Sequence, residues 1–99
     1  MWTIPTAPLP PNELTELLID HINGLVESNA INKGQGNSLI VKLENVLTHL
    51  NKDEPKPACN TLRAFSNHVY SFIEEGVLSM EEGQFLLDSA EAIRVQVCQ

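Results

Sequence analysis

Two cysteines, Cys59 and Cys98, carry the clearest chemistry open to this chain. Paired, they would form a disulfide. Reduced, Cys59 would act as a small buried hydrophobe and Cys98 would lie free near the chain end. Their spacing favours the pair. The turn between the last two expected helices centres near Val77 and Leu78, almost midway along the chain between the two cysteines. At ~1.5 Å of rise per residue, an antiparallel helical hairpin would bring both to one level, far from that turn. The bond would close a loop of roughly 40 residues and stabilise the fold by roughly 4 kcal/mol in the chain-entropy picture. It would also imply an oxidising compartment.

The remaining polar residues offer less. His21, His49 and His68 fall on three different expected helices. None has a histidine or cysteine three or four residues on, so helical zinc spacing is absent and a surface or rim position is expected. Glu74 and Glu75 end one expected helix while Glu81 and Glu82 begin the next, around one short turn. The second pair suits the positive start of its helix, whereas the first opposes the negative end of its own. That placement makes the four a weak candidate for a divalent cation, although the oxygen pattern of a calcium loop is missing. A solvated acidic corner is the plainer reading. Asn60 and Asn67 stand seven residues apart on one helix face. Helix interiors disfavour asparagine, so both are expected to anchor a loop through hydrogen bonds. Asn37 is expected to cap a helix. No nucleophile motif, phosphate-cradling glycine loop or assignable acid–base pair occurs, so neither catalysis nor a cofactor is expected.

These residues are positioned by four expected helices. Leu14, Leu17, Leu18, Ile22, Leu25 and Val26 recur at three- and four-residue spacing, which predicts a helix over about 13–27 with Asn12 as its N-cap. A second helix, capped by Asn37 or Ser38, is expected to end near Asn51 with Leu39, Ile40, Leu43, Val46, Leu47 and Leu50 on its apolar face. The third begins between Asp53 and Pro57, since prolines are tolerated in a first turn, and stops at Gly76. Ser79 followed by Glu82 predicts a capping box for the fourth, lined by Phe85, Leu86, Ala90, Ile93 and Val97. The expected fold is all-α: a compact four-helix antiparallel bundle over residues 12–99. Residues 1–11, with four prolines, are expected to form an extended linker or a cloning remnant. No internal repeat of solenoid length is expected, since the four expected helices differ in length and pattern. Ile19, Ile31, Val95 and Trp2 are not needed by these core faces, which makes them weak pointers to a partner surface.

Ninety-nine residues allow one domain with a modest core. A net charge of -7 leaves no basic stripe for nucleic acid and disfavours anionic membrane surfaces. No apolar run is long enough for membrane insertion, and no signal peptide is visible at the start. The chain is therefore expected to be either cytoplasmic or a module of a longer exported protein.

The run Asn37-Ser38-Leu39, then Lys42-Leu43, then Ala58-Cys59-Asn60 with Leu62, Ala64-Phe65, Asn67 and Val69, resembles the FIMAH-type helical domain. The same family ends in a helix whose motif matches Ser89-Ala90-Glu91-Ala92-Ile93 here. The resemblance spans about 37–98 and implies a small all-helical accessory module of exported bacterial or archaeal proteins, without catalytic residues. Its partners would be other domains of a parent protein, or a separate protein. Spacing, docking or assembly at the cell surface or outside it is the function this implies. The alternative is a free-standing cytosolic adaptor that binds a partner helix in its groove.

Overall fold

The computed structural model describes residues 9–98. Four helices occupy them: α1 (Pro11–Glu27), α2 (Lys33–Asn51), α3 (Pro55–Glu74) and α4 (Met80–Val97). No strand occurs among the described residues, and the fold is an all-α four-helix bundle. Most of the proline-rich lead-in lies outside the described residues.

One turn geometry ends the first three helices. Asn29, Asp53 and Gly76 each stand two residues past a helix with φ of 65°, 56° and 79°. The left-handed backbone lets the next amide reach back to a carbonyl that the helix leaves unpaired. Ala30 donates to Leu25 at 2.9 Å, Glu54 to His49 at 2.8 Å and Val77 to Phe72 at 2.8 Å. Glycine adopts this conformation without cost at Gly76, and asparagine and aspartate are the residues that tolerate it best elsewhere.

Helix starts differ from the sequence expectation at two places. Pro10 is the N-cap of α1 and Pro11 its first residue, so Asn12 lies within the first turn and caps nothing. Proline's fixed φ and missing N–H suit that first position. α2 starts earlier than expected, capped by Asn32 rather than by Asn37 or Ser38. Asn32 accepts from the Gln35 amide at 2.7 Å, and the Gln35 side chain accepts from the Asn32 amide at 2.9 Å. This reciprocal cap outweighs the loop character of Gly34 and Gly36, and it places Asn37 inside the helix, exposed and not capping. The α4 cap is half as expected. Ser79 Oγ accepts from the Glu82 amide at 3.1 Å, but the Glu82 carboxylate turns to His21 instead of back to the cap.

The chain also contains a repeat that its residue pattern conceals. Burial along the α1–α2 hairpin recurs at most positions 47 residues later in the α3–α4 hairpin. Buried Leu18, Ile22, Leu25, Ile31, Leu39, Leu43 and Val46 answer to Phe65, Val69, Phe72, Leu78, Leu86, Ala90 and Ile93. The turn hydrogen bonds of Asn29 and Ala30 recur at Gly76 and Val77, and that of Gly36 recurs at Gly83. Both glycines sit where helices cross closely: a Cβ at Gly36 would overlap Val26, and one at Gly83 would overlap Ile73. Val26 and Ile73 are themselves 47 apart. Among the seven core pairs only Leu39 and Leu86 share a residue type, so buried apolar positions rather than residue identities are repeated.

The hairpins pack so that each helix touches two neighbours: α1 on α2 and α4, α3 on α2 and α4. The α2/α3 contact is the most extensive of the four and the α1/α4 contact the least extensive. Ile31, expected to be spare, is buried under the first turn as Leu78 is under the second. Leu17 and Phe85, expected in the core, are instead 55% and 49% exposed.

Candidate functional site

Cys59 lies one turn into α3 and Cys98 caps the end of α4. Their Cα atoms are 5.8 Å apart and the sulfurs are bonded. The bond joins the two helices at the end opposite their turn, so the α3–α4 hairpin is closed at both ends. Beside it, Arg94 Nε donates to Glu91 Oε1 at 2.8 Å, and this bond holds the Glu91 carboxyl below the usual range.

The histidines are half-buried at helix junctions. His21 Nε2 donates to Glu82 Oε1 at 3.1 Å, and its ring stacks at a tilt on Phe85 with centroids 4.5 Å apart. These contacts tie α1 to the start of α4. His49 Nδ1 donates to Glu54 Oε1 at 2.9 Å across the α2–α3 turn. His68 rests on Phe72, 4.4 Å between centroids. Burial holds its pKa below the ordinary value of 6.5, and the nearby Lys42 charge acts the same way against a smaller opposing pull from Glu75.

The acidic residues follow their plainer, solvated reading, and the expected asparagine anchors do not form. The corner of Glu74, Glu75, Glu81 and Glu82 does not gather: Glu82 is engaged by His21, and the other three side chains are exposed. No group of three histidines, cysteines or carboxylates able to hold a metal ion forms among the described residues. Asn60 and Asn67 do not anchor a loop. Both are exposed on the outer face of α3, where water can satisfy their amides, and neither side chain hydrogen-bonds another described residue.

Residue-pattern reasoning missed an open groove between α1 and α4. It measures about 330 Å³, and its walls include Leu14, Leu17, Leu18, Phe85 and Ala92. The helices are antiparallel here, since His21 meets Glu82 and the Gln96 side chain donates to the Leu9 carbonyl at 3.0 Å. Helical periodicity assigned Leu17 and Phe85 to the core because each lies within a wide apolar stripe. Only the limited α1/α4 contact leaves them at its open edge.

The described residues form a small all-helical domain, stapled by a disulfide and with an apolar groove left open between α1 and α4. The model of the FIMAH domain matches residues 15–95, and the chain belongs to that family of small accessory domains. No curated protein and no solved structure matches it.

Proposed function

We propose that the chain is a non-catalytic accessory module of an extracellular or cell-surface multidomain protein, acting in spacing, docking or assembly. The Cys59–Cys98 bond is the observation that supports this most, because such bonds persist in oxidising compartments and are rare in reducing ones. Family membership supports the accessory role. No helix among the described residues is long and apolar enough to cross a membrane, which fits a module carried by other domains.

The test compares one chain made in two compartments. Protein routed to the bacterial periplasm should show no alkylatable thiol and melt well above protein purified reduced from the cytoplasm. Equal melting of the oxidised and reduced forms, or two free thiols in the periplasmic sample, would overturn the exported reading.

A further inference from the structure

We infer that the α1/α4 groove is a docking site for a cationic amphipathic helix of a partner protein. This deepens the docking reading proposed above and rests on it.

The internal repeat supplies the control. The fold places equivalent backbone on two faces, α1/α4 and α3/α2, related by the 47-residue offset. Leu17 corresponds to Ala64, and Phe85 to Ser38. At these two positions the second face, whose helices meet more extensively, carries no large exposed apolar side chain. Leu17 is 55% exposed, and Phe85, although one side of its ring rests on His21, is still 49% exposed. Their exposed apolar surface, on the walls of an open groove, is the kind that association covers.

Charge narrows the occupant. Glu13 and Asp20 stand four residues before and three after Leu17, and Glu81 and Asp88 stand four before and three after Phe85. At helical spacing each exposed apolar side chain is thus bracketed by carboxylates on its own face. All four acids are exposed. Their equivalents on the other face are Asn60, Asn67, Gly34 and Val41, none of them charged. α1 contains no lysine or arginine, and the only basic residue of α4, Arg94, is paired with Glu91. Apolar walls with an acidic rim complement a helix bearing leucine-like anchors at three- and four-residue spacing and lysine or arginine on its flanks. A second copy of the chain is a poor occupant, because it would set one acidic rim against another.

Calorimetric titration of the oxidised chain with two synthetic helices tests this. One peptide, about five turns long, carries leucines on one face and lysines elsewhere; its counterpart has glutamate for every lysine. The lysine peptide should bind one to one and the glutamate peptide should not. The variant Leu17→Ala/Phe85→Ser, which carries the residues of the other face, should keep its helicity and a cooperative melt, lowered somewhat by loss of the His21–Phe85 contact, yet bind about thirtyfold more weakly, the size of losing buried anchors. Undiminished binding by that variant, comparable binding of the glutamate peptide, or no binding at all would overturn the assignment. So would a dimer in sedimentation that the variant abolishes, since a second copy would then be the occupant. Thiol content measured on the same sample separates the two proposals. Free thiols with groove binding intact defeat only the exported reading, and a formed bond without binding defeats only the groove.

Discussion

Replacing both cysteines, as Cys59→Ser/Cys98→Ser, should lower stability by about 4 kcal/mol. The bonded residues are 39 apart in sequence, and releasing a loop of that size in the unfolded chain gives a cost of this order. Native-state losses should be small, because Cys59 is only half-buried and Cys98 lies past the last turn of α4. A domain of this length has roughly 5–15 kcal/mol to lose, so the substitution removes a large share without abolishing folding. At about 4–8 °C per kcal/mol, the melting point should fall by roughly 20 °C or more. Guanidinium unfolding should show a second sign: a steeper denaturant dependence in the variant, because its unfolded chain exposes more surface once the loop is released. The double variant isolates the bond itself, since it leaves no odd thiol to oxidise. A melting point within about 2 °C of the parent would refute the argument, because by the same scale so small a shift means well under 1 kcal/mol.

Four smaller outcomes follow from single sites. Gly24→Ala should stabilise by about 1 kcal/mol in thermal unfolding, since helix propensity favours alanine and nothing lies within 4 Å of the added carbon. Gly36→Ala should destabilise by about 1 kcal/mol in the same assay, because the overlap with Val26 outweighs that propensity gain in a β-branched neighbour with little rotamer freedom. Asn32→Ala should cost about 1 kcal/mol by chemical denaturation through loss of the α2 cap, whereas Asn37→Ala should be nearly neutral. The His68 ring protons should titrate by NMR with a midpoint below 6.5. Because its folded pKa is depressed, His68 contributes stability that is present above 6.5 and lost as pH falls through the folded value. A midpoint at or above 6.5 would contradict that environment.

Much of the bundle was legible where local chemistry and periodicity agree. Gly76 marked a helix end, Ser79 a helix start, and Pro55 a first turn, because each residue type suits few other backbone positions. The cysteine register was legible for a simpler reason: helical rise is constant, so sequence distance from a turn converts to height. What stayed hidden depended on helix–helix contact. Gly36 read as loop because its role, admitting Val26, belongs to a neighbouring helix. Leu17 and Phe85 read as core because a periodic stripe does not reveal how extensively α1 meets α4. The repeat hid for a related cause. Phe65 fills the place of Leu18 and Ala90 that of Leu43, so the core preserves its buried positions while the letters change.

Amide-shift mapping of the lysine–leucine peptide on the isotope-labelled chain tests the central claim, that this domain docks a partner through one face. The account predicts shifts concentrated in 13–21 of α1 and 81–92 of α4, with the equivalent stretches 60–68 and 34–45 silent. Shifts spread equally over both faces, or centred on α2 and α3, would contradict it.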